Sequence, residues 1–234
     1  MLIFAHRGMK NELPENTMPA FKEAFLRGFG VEFDLRMTPD KIAVISHDKV
    51  MARTEKMPTF EEVCGFISDY LPEGQKVAIH LKYEEQTGEM LAIISRMFIE
   101  HNLYKKAFVF DLTIANSKKL KEMDKEISVA VSIGEDNYGP TIYKWQEVIY
   151  NTDDFDNVWL DEWRLPGSVL NELMVNDIHK KGKDIYAISP ELHRDHLHPQ
   201  SEKGYERVWK DLEKWGVNGI CTAYPDRLKA VLYL

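Results

Sequence analysis

The sequence predicts an α/β fold, a (β/α)8 TIM barrel formed by a single domain over residues 1–234. Eight short apolar runs rich in β-branched residues alternate with longer amphipathic segments of helical period. The length of 234 residues suits one such barrel. No Pro-, Gly- or Ser-rich linker divides the chain, and the first run is not followed by the GxGxxG loop typical of an open dinucleotide-binding sheet.

The apolar runs are interpreted as strands, taken in chain order. They cover residues 2–5, 30–35, 76–82, 106–111, 127–132, 157–162, 184–189 and 218–222. An additional short run at 41–46 is expected to pair beside the second strand.

Amphipathic segments between the strands predict helices. They cover residues 17–28, 59–70, 86–101, 113–123, 168–181, 203–215 and 225–232, with a weaker candidate at 142–150. Thr17 is suited to cap the first helix and Gly28 to end it. Thr59 followed by Glu62 predicts a capping box at the second. This alternation of strands and helices favours the barrel.

Composition and charge exclude several classes of protein. A net charge of −8 leaves no general excess of Lys and Arg for binding nucleic acid. The four apolar residues near the N-terminus are too few for a signal peptide or a membrane span. Cys64 and Cys221 lie far apart and form neither a metal-binding pair nor a disulfide framework. We therefore expect a cytoplasmic protein with no nucleic-acid partner and no stable membrane insertion.

Ionisable residues stand at the carboxyl ends of the predicted strands, where a barrel places its catalytic groups. They are His6, Arg7, Glu32, Asp34, His47, Asp48, His80, Lys82, Asp111 and Asp161. The spacing of Glu32 and Asp34 puts both carboxylates on one face of a strand, where they repel each other and need a cation or basic partners. A divalent metal bound by oxygen ligands meets that need. The alternative is an exposed edge strand with a solvated face.

Two histidines and two basic residues complete this set. His6 and His47 could act as general base and general acid, although a lone histidine at a strand end is more often structural. Arg7 and Lys82 could bind phosphate oxygens or could pair with nearby carboxylates. Three further histidines, His193, His196 and His198, match no zinc motif and are interpreted as part of a flexible polar loop.

Several motifs now indicate a family. The elements AHRG at 5–8, PENT at 14–17, AF at 20–21, EFD at 32–34 and HD at 47–48 occur in an order and spacing that resemble the glycerophosphodiester phosphodiesterase family. The final segment, 216–232, is also similar to that family's last strand and helix. The resemblance is close at both ends of the chain and looser in the middle.

This resemblance implies a metal-dependent barrel enzyme that hydrolyses glycerophosphodiesters, a small-molecule phosphodiester substrate, to glycerol 3-phosphate and an alcohol. It implies one divalent metal ion, Mg or Ca. Carried onto this sequence, the acid–base pair is His6 and His47, the substrate-binding residues are Arg7 and Lys82, and the metal ligands are Glu32, Asp34 and the residue at position 80. The alternatives are phospholipase D-like action on lysophospholipid or sphingolipid headgroups and a non-catalytic protein that binds a phosphorylated ligand.

One departure from the family concerns the metal. An EIK-like element, whose Glu is the third ligand in the family, reads His80-Leu81-Lys82 here. A neutral histidine can ligate a metal, and it favours Mn or Zn over Mg or Ca. The other reading is that His80 does not ligate and the metal is held weakly.

Overall fold

The structure, a computed structural model, describes residues 1–134, 139–149, 152–162, 171–194 and 198–233. Its strands are β1 (Leu2–His6), β2 (Gly30–Met37), β3 (Ala43–Ile45), β4 (Val77–Leu81), β5 (Ala107–Phe110), β6 (Ala130–Gly134), β7 (Ile142–Lys144), β8 (Asn157–Glu162), β9 (Asp184–Ile188) and β10 (Gly219–Thr222). Its α-helices are α1 (Met18–Leu26), α2 (Phe60–Tyr70), α3 (Gly88–Glu100), α4 (Ile114–Met123), α5 (Trp145–Val148), α6 (Glu172–Lys180), α7 (Tyr205–Lys214) and α8 (Pro225–Tyr233). Among these described helices, none has the length and apolar character needed to cross a bilayer.

The predicted (β/α)8 barrel is confirmed. Eight parallel strands follow one another in the order β5-β4-β2-β1-β10-β9-β8-β6. A parallel bridge between Val109 in β5 and Val129, the residue before β6, joins the two ends of this series. The short run at 41–46 contributes β3, which pairs antiparallel with β2 as expected.

One predicted helix begins differently in the structure. The weak candidate at 142–150 opens instead with β7, which pairs in parallel with β6 through Ile142 and Tyr143. Both residue types favour strands, and the neighbouring backbone of β6 supplies hydrogen-bond partners. Only the four-residue α5 is helical. The predicted helix at 168–181 is α6, capped by Asn171, and its first three residues lie outside the described part of the chain.

The ends of the first two helices follow directly from the sequence. Thr17 accepts a hydrogen bond from the backbone N–H of Ala20 and caps α1. Gly28 has a φ of +82° just beyond the end of α1, and the N–H groups of Gly28 and Phe29 donate back to the last turn, as a Schellman motif requires. Thr59 and Glu62 form the predicted capping box of α2.

The interior of the barrel is filled by aromatic side chains toward the amino ends of the strands. Phe4 packs edge-on against Phe108 and Tyr186, with ring centroids 5.8 and 5.5 Å apart. Trp159 stacks on Phe110 at 4.0 Å. These residues are buried together with Ala78, Ala130 and Cys221. We call the packed rings of Phe4, Phe108, Trp159 and Tyr186 the aromatic plug. Because inward positions recur at every second residue of a strand, the next inward residues lie beyond this plug, toward the carboxyl ends.

Candidate active site

A cavity of about 280 Å³ lies at the carboxyl ends of the strands. The residues predicted to act in binding or catalysis all line it, namely His6, Arg7, Glu32, Asp34, His47, His80 and Lys82. Phe110, Ile188 and Leu192 contribute apolar surface to the same cavity. The structure therefore brings together predicted site residues that lie up to 76 positions apart in the chain, from His6 to Lys82.

Glu32 and Asp34 lie side by side on the inner face of β2. Their side chains are only 3% and 1% exposed. The register places His6 opposite Glu32 and His80 opposite Asp34. Since β2 is paired with β1 on one side and β4 on the other, the alternative of an exposed edge strand is wrong.

Glu32, Asp34 and His80 form a group that could hold a metal ion. One oxygen from each carboxylate and one ring nitrogen of His80 all lie within 4.8 Å of one another. His80 Nδ1 is 3.0 Å from Asp34 Oδ1 and 4.0 Å from Glu32 Oε1. Two buried carboxylates beside an imidazole form a mixed oxygen and nitrogen donor set that fits a divalent ion.

The two carboxylates differ in their electrostatic environment. Burial, and then the neighbouring charge of Asp34, raise the pKa of Glu32 to about 7. Burial alone would also raise the pKa of Asp34, but His80, Lys82 and Arg7 hold that pKa well below its usual range. Lys82 Nζ lies 3.3 Å from Asp34 Oδ1, and Arg7 Nε lies 3.2 Å from Asp34 Oδ2. Asp34 therefore ionises at a lower pH than Glu32.

His80 lies between two carboxylates. Its Nδ1 faces Asp34, and its Nε2 is 3.3 Å from Asp111 Oδ2. Burial alone would lower the pKa of His80, but the hydrogen bonds to Asp111 and Asp34 raise it to about 10. In the metal-free protein the ring therefore carries a proton on each nitrogen at neutral pH.

His6 is held close to both a carboxylate and an amine. Its Nε2 is 3.7 Å from Glu32 Oε2, and its Nδ1 is 2.7 Å from Lys10 Nζ. Burial, followed by the charges of Lys10 and Arg7, lowers the pKa of His6 well below its usual value. Sequence reasoning missed Lys10, since it lies in the loop after β1 and not at a strand end.

His47 occupies the outer edge of the cavity, with a side chain that is 38% exposed. Its Nδ1 is 2.9 Å from Asp48 Oδ1. The buried Arg36 donates to the main-chain carbonyl oxygen of His47 from Nε and Nη2, at 3.2 and 3.0 Å. Sequence reasoning did not identify Arg36, whose charge just beyond a predicted strand is the available signal.

Arg7 is fixed by its backbone as well as its guanidinium group. Its own φ is +55° and that of Gly8 is +79°, and this turn lets the Arg7 N–H donate to Glu32 Oε2 at 3.2 Å. A Cβ at Gly8 would lie 2.8 Å from the Cβ of Ala20. The guanidinium Nη1 donates to both oxygens of Glu15 at 3.0 and 3.1 Å. The ion pairing considered as an alternative for Arg7 is therefore present, and Arg7 still lines the cavity.

Two of the three histidines after β9, His193 and His198, are buried. His193 lies in a short 3-10 helix, Pro190–His193, where it is buried and lines the cavity. His198 is buried as well, and its N–H donates to the carbonyl oxygen of His193 at 3.2 Å. The prediction of a flexible polar loop is wrong for these two residues, because both side chains are buried and His193 ends a helical turn. His196 lies outside the described residues.

Comparisons with known proteins agree on one family. The sequence model of the glycerophosphoryl diester phosphodiesterase family matches residues 6–151. A glycerophosphodiester phosphodiesterase of Bacillus altitudinis is 27% identical over 243 residues, which cover 96% of this chain and 95% of the relative.

Solved structures with the same fold cover nearly the whole chain. A glycerophosphodiester phosphodiesterase from Parabacteroides distasonis superposes with a TM-score of 0.74 at 17% identity, covering 99% of this chain and 96% of the other. A phosphodiesterase from Oleispira antarctica, in complex with the product sn-glycerol-3-phosphate, superposes with a TM-score of 0.73 at 20% identity and the same coverage of 99% and 96%.

Proposed function

The chain belongs to the glycerophosphoryl diester phosphodiesterase family, and from that premise we propose that it hydrolyses glycerophosphodiesters to glycerol 3-phosphate and an alcohol, in the cytoplasm. The family and the named relatives make it a phosphoric diester hydrolase. The observation that supports this substrate is that one cavity is lined by the proposed acid–base pair, the proposed metal ligands and two cations, namely His6, His47, Glu32, Asp34, His80, Arg7 and Lys82. The Oleispira antarctica neighbour, which binds sn-glycerol-3-phosphate, supports the same assignment.

Glu32, Asp34 and His80 would hold one divalent ion in this cavity. When bound, such an ion neutralises charge on a phosphate group and polarises its oxygens. The nitrogen donor of His80 favours Mn or Zn over Mg or Ca, which prefer oxygen ligands. Arg7, Lys82 and His80 already offset the charge of Asp34, and a bound ion would also offset the charge of Glu32, whose ionised form burial disfavours.

His6 and His47 would carry the proton transfers. One imidazole removes a proton from the attacking oxygen and the other gives a proton to the leaving alkoxide. His6 is buried and, with its pKa lowered, is neutral at physiological pH, which suits the proton acceptor. His47 lies at the solvent edge of the cavity, where a leaving alcohol can depart, and this position suits the proton donor.

Arg7 and Lys82 would bind the non-bridging phosphate oxygens. Both cations already lie within ion-pair distance of Asp34 and line the cavity. The planar guanidinium suits two phosphate oxygens at once, whereas the ammonium acts as a point charge.

The experiment is a substrate panel. Purified protein with Mn²⁺ is incubated with glycerophosphodiesters that carry choline, ethanolamine, glycerol or inositol, and glycerol 3-phosphate is measured by a coupled assay. We expect release from at least one of them, and no release from the same protein carrying His47→Ala. Release of alcohol from lysophospholipids alone would favour the lipid alternative. Binding of glycerol 3-phosphate without turnover of any substrate would favour the non-catalytic alternative.

A further inference from the structure

We propose that Asp111 is a positioning residue of the metal site, which acts by holding the ring of His80 so that Nδ1 faces Glu32 and Asp34. Asp111 follows β5, which pairs with β4, the strand of His80, and β4 separates it from β2, the strand of Glu32 and Asp34. The inference rests on the metal-binding part of the proposed function and not on the identity of the substrate.

The geometry around His80 matches that of an oriented metal ligand. Nδ1 points to the carboxylate group on β2, at 3.0 Å from Asp34 Oδ1, whereas Nε2 points away from it to Asp111 Oδ2 at 3.3 Å. A histidine that donates one ring N–H to a carboxylate presents the lone pair of its other nitrogen to the metal. Phe110 stacks on the ring, with centroids 4.8 Å apart, and so restrains its plane.

The position of Asp111 is fixed by the loops around it. Its φ of +67° lies in the left-handed region, which residues other than glycine adopt uncommonly. Gln86 Nε2 donates to the carbonyl oxygen of Asp111 at 2.7 Å and to that of Leu81 at 3.1 Å. The N–H of Thr113 donates to Gln86 Oε1 at 3.0 Å. Gln86 therefore connects the end of β4, which carries His80, to the end of β5, which Asp111 directly follows.

The burial of Asp111 also ties it to His80. Asp111 is only 8% exposed, and within the described part of the chain Oδ1 is buried with no hydrogen-bond partner. A buried carboxylate oxygen without a donor is costly unless positive charge lies nearby. His80 supplies charge at this place, since its Nε2 lies 3.3 Å from Asp111 Oδ2, so the burial of Asp111 depends on its pairing with that ring.

The test compares the affinity for Mn²⁺ of metal-stripped proteins by isothermal titration calorimetry. Asp111→Asn keeps the size of the side chain, and asparagine tolerates a left-handed φ, so the variant is expected to fold. We expect it to bind Mn²⁺ 10- to 100-fold more weakly than the unchanged protein, the usual loss for such a partner. The matched control is Asp69→Asn, at an exposed position of α2, which should leave the affinity unchanged.

Two further measurements separate orientation from general stability. In a His80→Ala background, Asp111→Asn should change the affinity for Mn²⁺ by less than about twofold, because its route through His80 is gone. Nitrogen-15 NMR of the Zn²⁺-loaded, otherwise unchanged protein should show His80 protonated at Nε2 and ligating through Nδ1. A ring protonated at Nδ1, or an Asp111→Asn protein with undiminished affinity, would overturn the inference.

Failure of this inference is distinguishable from failure of the proposed function. An unchanged protein that binds Mn²⁺ tightly but hydrolyses no glycerophosphodiester contradicts the proposed substrate and leaves the role of Asp111 standing. An unchanged protein that hydrolyses glycerophosphodiesters but binds no divalent ion overturns the role of Asp111.

Discussion

The barrel interior has two parts that are formed by the same strands but by different kinds of side chain. The lower half, toward the amino ends of the strands, is aromatic, and the upper half, toward their carboxyl ends, is ionisable. In the lower half, Phe4, Phe108, Trp159 and Tyr186 pack against one another. Two residues after Phe4 comes His6, which lies opposite Glu32, and Asp34 and His80 lie opposite each other further along β2 and β4. The lower half buries apolar surface and stabilises the fold, whereas the upper half buries charges that only a ligand or each other can compensate. On β1, the residue that stabilises the fold and the residue proposed to act in catalysis are thus only two positions apart.

Among the changes in the upper half, removing His6 is expected to have the largest effect on turnover. We expect His6→Ala to lower kcat for glycerol 3-phosphate release by about 10²–10⁴, the usual contribution of a general acid or base. The midpoint of urea unfolding should hardly move, because His6 contributes little to the aromatic plug. Steady-state kinetics and urea titration of the same preparation check both statements. Near-normal turnover in this variant would remove His6 from the proton transfers.

Truncating Trp159 is the converse change in the lower half. Trp159 is fully buried and stacks on Phe110, so Trp159→Ala should reduce the free energy of unfolding by about 3–5 kcal/mol. Urea unfolding followed by circular dichroism measures this loss. The matched control is Trp145→Ala, at a half-buried tryptophan outside the barrel, which should cost clearly less. Equal losses in the two variants would show that the plug has no special weight in stability.

Proton release on metal binding tests whether His80 is a metal ligand. In the metal-free protein the pKa of His80 is about 10 and that of Glu32 is about 7. At pH 8, Glu32 is mostly ionised and His80 still carries its extra proton, which ligation through Nδ1 must displace. We expect about one proton to be released for each Mn²⁺ bound at pH 8.

The same shift sets the direction of the pH dependence. The raised pKa of His80 stabilises the metal-free fold fully below pH 6.5, and this stabilisation is lost as pH rises toward 10. Affinity for the metal should therefore increase with pH across this window. Calorimetric titrations in buffers of different ionisation enthalpy count the released protons. Release close to zero at pH 8 would mean that His80 does not ligate.

The smallest effect is expected from a substitution outside the barrel interior, at the start of α2. Thr59→Ala removes the capping box of α2, and it should cost about 1 kcal/mol in the free energy of unfolding. Turnover measured under saturating substrate should stay the same, because α2 packs outside the barrel. A large loss of turnover would show that the charged upper half depends on the packing of the outer helices.

Local patterns in the sequence were enough to predict most of the fold. The strand runs, the Thr17 and Thr59 caps and the β3 pairing depend on neighbouring residues alone, and the structure confirms them. The start of β7 was missed because its pairing depends on β6, which a local pattern cannot show. His193 was misjudged for a related reason, since its burial depends on how the chain turns after β9.

Which residues the cavity brings together was predictable because the barrel topology sends strand ends to one face. The contacts that hold these residues in place were not predictable from the sequence. Lys10 reaches His6 from a loop, Asn16 donates to Asp34 at 3.1 Å, and Gln86 joins two strand ends. Each of these contacts depends on loop conformations with no periodic signal in the sequence. The role of Asp111 likewise becomes visible only when β4 and β5 are seen side by side.

The most direct test of the central claim, that the charged upper half is a metal-dependent phosphodiesterase site, is the rate of glycerol 3-phosphate release before and after metal is restored. Protein stripped with a chelator is assayed on a glycerophosphodiester, and Mn²⁺, Zn²⁺, Mg²⁺ or Ca²⁺ is then added singly. We predict release near background in the stripped protein and recovery with Mn²⁺ or Zn²⁺ ahead of the other two. Full activity in the stripped protein, with no response to any ion, would contradict the account.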